Sequence, residues 1–127
     1  MKNQKILIVD DEIMMAKPLK LLLERAGYEV EVASDGKNGL ALAVSWKPDL
    51  VILDIMLPDI SGWEVCEKLR GNPDTQAIKV LMLTCYDAED GLERSKERNA
   101  DWLIIKPYNN NYMLTIIEKL LSQPNEQ

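Results

Sequence analysis

Four short apolar runs, Ile6-Leu7-Ile8-Val9, Leu50-Val51-Ile52-Leu53, Val80-Leu81-Met82-Leu83 and Leu103-Ile104-Ile105, run directly into Asp10-Asp11, Asp54, Thr84 and Lys106. Runs that are apolar at every position suit strands buried on both faces, as in parallel sheets covered by helices. Between them the periodicity changes to that of amphipathic helices, predicted over residues 14–26, 36–46, 62–70, 88–98 and 110–122. A further strand is predicted at 28–32, where Tyr28-Glu29-Val30-Glu31-Val32 alternates between apolar and charged residues. Gly27 before it can take the left-handed position that ends a helix, and Ser34-Asp35-Gly36 after it supplies a helix start. The alternation is βαβαβαβαβα: an α/β three-layer sandwich with right-handed crossovers. Ligand chemistry in such sheets gathers at the carboxyl ends of the strands, where the residues closing these runs are expected to converge. Pro18 conflicts locally with the first helix, because a proline in a helix interior removes one backbone bond at a cost of about 3 kcal/mol; a late start or a kink is expected there.

The chain has 127 residues, enough for a single domain with its core over about 5–121, and a polar tail at 122–127. Its net charge of -6 and its scattered basic residues provide no footprint for a phosphate backbone, so direct nucleic-acid binding is not expected. Cys66 and Cys85 have neither zinc-site spacing nor the number of a disulfide framework, which suits a reducing compartment. No signal-peptide pattern precedes Ile6 and no apolar stretch approaches the roughly 18 residues of a membrane span, so the expected location is the cytoplasm, away from membranes. With no histidine, the chain cannot hold a Ser-His-Asp triad, ligate metal through imidazole or carry a phosphohistidine.

Asp10, Asp11 and Asp54 gathered at one sheet edge would repel one another, and like charges at short range raise each other's pKa. A cation resolves this. Carboxylate, carbonyl and water oxygens suit a hard ion, and a pocket with few protein ligands suits Mg2+ better than Ca2+. Lys106 brings an ammonium to the same edge and Thr84 a hydroxyl, which is what a phosphoryl group held on a carboxylate needs. Asp54, ending the central run, is the natural nucleophile. Any one of these residues could be a helix cap or a solvated charge, but four independent strand ends supplying acid, acid, hydroxyl and ammonium point to a site.

These residues resemble the receiver domain of two-component response regulators. The matching stretches are Val9-Asp10-Asp11-Glu12, the run from Asp54 through Met56, Pro58 and Asp59 to Gly62, Leu83-Thr84, and Asn99-Ala100-Asp101 through Lys106-Pro107-Tyr108, so the likeness covers about 5 to 121. It implies a flavodoxin-like fold, with a five-stranded parallel sheet of order 2-1-3-4-5 and five helices. It also implies a signalling switch rather than an enzyme with its own substrate turnover. Asp54 would take a phosphoryl group from a sensor histidine kinase or a histidine phosphotransfer protein and thereby change affinity for an output partner. Asp11 and Asp54 would ligate Mg2+ directly, Asp10 through water, and the Met56 main-chain carbonyl would complete the protein ligands. Lys106 would pair with phosphoryl oxygens, Thr84 would shift toward them, and Lys106-Pro107 would be a cis peptide.

The chain departs from the family's pattern in places. Leu103 stands where receivers usually carry an aromatic residue, and Trp102 beside it points to the other sheet face by strand alternation. Trp102 is expected either to pack against neighbouring helices or to offer an exposed anchor beside the helix at 88–98. Cys85 replaces a smaller residue, Asn99 a glycine, and Met56 and Tyr86 flank the site. An aspartate-based phosphohydrolase would need a second acid where Met56 stands. A flavodoxin would need a phosphate-cradling first loop where Asp10-Asp11-Glu12 stands, and a nucleotide hydrolase a Gly-rich loop that is missing. A degenerate receiver that binds partners without phosphorylation is the remaining rival, and the complete acid, threonine and lysine set argues against it.

Overall fold

A computed structural model of the chain describes residues 3–85 and 100–123. The helix expected at 88–98, Tyr86, Asn99 and the Cys85 side chain lie outside the described residues. The elements are β1 (Lys5–Val9), α1 (Ile13–Arg25), β2 (Glu29–Ala33), α2 (Gly36–Trp46), β3 (Leu50–Asp54), α3 (Gly62–Arg70), β4 (Lys79–Cys85), β5 (Trp102–Lys106) and α4 (Asn110–Ser122). All neighbouring strands pair in parallel, and the sheet order is β2-β1-β3-β4-β5. Four helices lie among the described residues, against the five expected from the whole chain.

Strand alternation divides the core between the two faces of the sheet. Ile6, Ile8, Leu50, Ile52, Leu81, Leu83 and Ile104 face α1, through Ala16, Leu19 and Leu23, and α4, through Met113, Ile116, Ile117 and Leu120. Leu7, Val9, Val51, Leu53, Val80 and Met82 face α2 and α3, including Ala43, Trp63, Cys66 and Leu69. β1 from Ile6 to Val9 and β3 from Leu50 to Leu53 are therefore apolar at every position because both of their faces are covered. At the sheet edge β2 alternates, with Glu29 and Glu31 exposed and Val30 buried, and charge on an edge strand discourages pairing with another chain.

The caps follow the local sequence. Gly27 has φ +102, and the Tyr28 N–H donates to the Leu23 carbonyl at 3.1 Å, closing the end of α1. Asp35 caps α2 by accepting from the Asn38 N–H at 2.7 Å. α1 begins at Ile13 and runs through Pro18, so the late start expected from that proline does not occur. The strand expected at 28–32 is shifted by one residue, because Tyr28 is used in the helix closure.

Candidate functional site

β1 and β3 are adjacent, but the chain leaves β1 toward β2 on one side and reaches β3 on the other, so the loops after β1 and β3 diverge and leave a crevice. Asp10 follows β1 directly. Its N–H extends the ladder to the Ala33 carbonyl at 3.0 Å, and its Oδ1 accepts from the Glu12 N–H at 2.9 Å, turning the chain into α1. Asp54 ends β3, with Oδ1 accepting from the Met56 N–H at 2.9 Å. Lys106 ends β5 and reaches past β4, placing Nζ 2.9 Å from Asp54 Oδ2 and 3.8 Å from Asp10 Oδ2. Both oxygens of the Asp54 carboxylate are therefore held, one by a backbone amide and one by an ammonium. Thr84 is buried in β4, one residue beyond Leu83, the register partner of Asp54.

The charges do not balance. Asp10, Glu12 and Asp54 each bring a carboxylate oxygen to within 4.8 Å of the others, and Asp10 and Asp54 are buried. Burial pushes the Asp10 carboxyl above its ordinary value of 3.8; the Glu12 amide and the Lys106 charge oppose this, while Asp54 and Glu12 add repulsion. At Lys106, desolvation favours the neutral amine, but the Asp54 hydrogen bond and the charges of Asp54, Asp10 and Glu12 outweigh it and raise the pKa. An all-oxygen, acid-rich pocket with, among the described residues, a single ammonium fits a hard divalent cation.

The raised Asp10 pKa predicts a pH dependence. Between 3.8 and its raised value, the folded protein binds a proton at Asp10 that the unfolded chain releases. This contribution to stability is present at the acid end of that window and is lost as pH rises through it. In metal-free buffer, urea midpoints measured across the window should favour the parent less at higher pH, and Asp10→Asn should remove that slope. Parallel profiles for the two proteins would contradict the assignment.

Of the residues predicted from sequence, Asp10, Asp54 and Lys106 are brought into direct contact or near contact. Asp11 is exposed and stands outside the group of three carboxylates, while Glu12, to which sequence reading gave no role, stands within it. The turn made by the Asp10 side chain brings the Glu12 carboxylate to the group, and residue type alone carries no signal of that. Met56 is 73% exposed, and its N–H bonds Asp54 at the site. Lys106-Pro107 is cis, as the resemblance implied. Leu103 packs against the α2 and α3 side of the core, whereas Trp102 is exposed and its Nε1–H donates to the Tyr112 hydroxyl at 3.2 Å. Asp101 is structural: its Oδ2 accepts from the Val80 N–H and from Arg70 Nη2, both at 2.7 Å, tying the starts of β4 and β5 to the end of α3.

The family profile of the response regulator receiver domain matches residues 6–118. The alkaline phosphatase synthesis transcriptional regulatory protein PhoP of Bacillus subtilis is 44% identical over 106 residues, covering 84% of this chain and 43% of that protein. The chain spans about half the length of the curated relatives it matches. Among solved structures, a CheY-like response regulator receiver domain protein from Methanospirillum hungatei is 35% identical with a TM-score of 0.88, covering 94% of each chain. The receiver domain of the sensor histidine kinase PA1611 from Pseudomonas aeruginosa, solved with a magnesium ion coordinated in its active site cleft, shares the fold: TM-score 0.88 at 20% identity, over 96% of this chain and 100% of that one. With an acid-lined crevice at the β1/β3 switch point and this match over nearly its whole length, the chain belongs to the response regulator receiver domain family of two-component signalling, whose general function is Mg2+-dependent phosphorylation.

Proposed function

We propose that Asp54 is the phosphoacceptor of this receiver, and that Asp10, Asp11, Asp54 and the Met56 main-chain carbonyl hold a Mg2+ ion, with Glu12 adding negative charge to the same pocket. The observation that carries this reading is the Asp54 carboxylate, buried at the end of β3, with one oxygen on the Met56 amide and the other on Lys106. The bound cation would supply charge neutralisation at the carboxylates and at the incoming phosphoryl oxygens. A phosphohistidine on a sensor kinase or phosphotransfer protein is the proposed donor. An Asp54 carboxylate oxygen attacks phosphorus, the P–N bond breaks, and its electron pair stays on the imidazole nitrogen of the donor. The Met56 N–H keeps the carboxylate aligned, and Lys106 passes from the free carboxylate to the phosphoryl oxygens. Thr84 offers its hydroxyl to one of those oxygens.

The chain works in this reading as a switch and not as an enzyme turning over a separate substrate. Its effect on an output partner rests on a difference in binding between the two states. We assign the receiver unit to about residues 5–121 and its location to the cytoplasm; no described helix is long and apolar enough to cross a membrane. The net charge of -6 argues that any DNA contact in its pathway is made by something other than this unit. Incubation with a small phosphodonor tests the reading: intact-mass measurement should show one phosphoryl group added with Mg2+ and none in chelator. Equal labelling in both conditions would overturn the cation's role.

A further inference from the structure

The loop from β3 to α3 carries the Met56 main chain and is held at two places. At its base the Gly62 N–H donates to the Ile55 carbonyl at 2.9 Å. A side chain on Gly62 would collide with the Asp54 carbonyl oxygen, so this closure requires glycine. At its outer end Asp59 spans to another element: Oδ1 accepts from the Gly36 N–H at 2.8 Å and Oδ2 from the Lys37 N–H at 2.9 Å, the first two amides of α2. Ile60 lies over Gly36, where an added Cβ would come within 2.5 Å of Ile60 Cγ1 and 3.0 Å of Val65 Cγ2. α2 already has its own cap in Asp35, which takes the Asn38 N–H. The Asp59 contacts are therefore an additional link, and it joins α2 to the loop bearing Met56.

We propose that Asp59 is a positioning residue: clasped to the start of α2, it fixes the β3–α3 loop so that the Met56 amide stays on Asp54 and the Met56 carbonyl is presented to the cation. The proposal rests on the cation site assigned above. Outer partners that orient a metal site typically change its affinity by about 10- to 100-fold when removed. The clasp is also durable. Partial desolvation would raise the Asp59 pKa, but the amides of Gly36, Lys37, Ile60 and Asp59 itself together hold it down to about 2, so the carboxylate stays charged at any physiological pH.

Asp35 provides the control, since Asp59→Ala and Asp35→Ala each remove a carboxylate from the start of α2 but only Asp59 belongs to the loop. Mg2+ affinity by calorimetry and amide hydrogen exchange by NMR in the metal-free protein are measured on both variants and the parent. Asp59→Ala should weaken Mg2+ binding about tenfold and speed exchange at Met56 and Gly62 about tenfold. Asp59→Asn, which keeps one acceptor oxygen, should fall between it and the parent. Asp35→Ala should leave Mg2+ affinity and Met56 exchange unchanged despite its loss of helix stability. If Asp59→Ala behaves like Asp35→Ala in Met56 exchange, or retains parental Mg2+ affinity, the positioning role is overturned. A parent that binds no Mg2+ would instead end the cation assignment, and the exchange data alone would then decide the clasp.

Discussion

Asp54→Asn should eliminate phosphoryl labelling while leaving the fold intact. The amide side chain is nearly isosteric with the carboxylate and retains an oxygen that can accept the Met56 N–H, the bond now made at 2.9 Å. What it loses is the anionic nucleophile, and removing the nucleophile of a covalent step commonly costs several orders of magnitude. Labelling with a small phosphodonor and Mg2+, followed by intact mass, should therefore show a drop of roughly a thousandfold or more. Circular dichroism should be unchanged, because the amide keeps the Met56 bond and Asp10 still faces the Lys106 ammonium at 3.8 Å. Labelling of the variant at parental stoichiometry would place the acceptor elsewhere.

Lys106→Met should destabilise the metal-free protein, and Mg2+ should restore much of the loss. Lys106 Nζ is the cation facing Asp54 and Asp10 among the described residues, at 2.9 and 3.8 Å, and both carboxylates are buried. Removing one partner of a buried ion pair typically costs about 3 to 5 kcal/mol; the Met56 and Glu12 amides still bond these carboxylates, so the lower end, about 3 kcal/mol, applies. A divalent ion binding only the folded state adds stability by mass action, about 2.7 kcal/mol at a hundred times its Kd. The sign with pH follows from the raised Lys106 pKa: the contribution of the lysine is fully present below 10.5 and fades only as pH rises through the higher folded value. Denaturant titrations of parent and variant, with and without Mg2+, measure this. Equal stability in chelator, or no larger Mg2+ effect in the variant, would contradict the balance of charges described here.

Much of this arrangement could be read from the chain because buried parallel strands leave a strong mark. β1 and β3 are covered on both faces and show as unbroken apolar runs, and each delivers an acid at its end. The sheet order came from the family resemblance and agrees with the observed register; periodicity cannot order strands. Of the late start or kink expected from Pro18, the late start does not occur, since one proline within a thirteen-residue helix packed by Ala16, Leu19 and Leu23 is outweighed by that packing. Glu12 was given no place in the metal site because three consecutive acids are indistinguishable until the turn at Asp10 orients them. The bonds of Asp59 were missed for a different reason: its partners lie 22 and 23 residues earlier, and no local pattern reports a bond between a loop and a distant helix start. Trp102 was left between two readings; among the described residues it is exposed and bonded to Tyr112 of α4, which leaves both open.

The account depends on an acyl phosphate forming on the carboxylate that Lys106 and the Met56 amide hold. Borohydride reduces such a mixed anhydride to an alcohol, marking the acceptor permanently. Protein labelled in the presence of Mg2+, reduced and sequenced by peptide mass spectrometry, should carry homoserine in place of Asp54 and at no other aspartate. Homoserine in place of Asp10 or Asp11, or none at all in fully labelled protein, would contradict it.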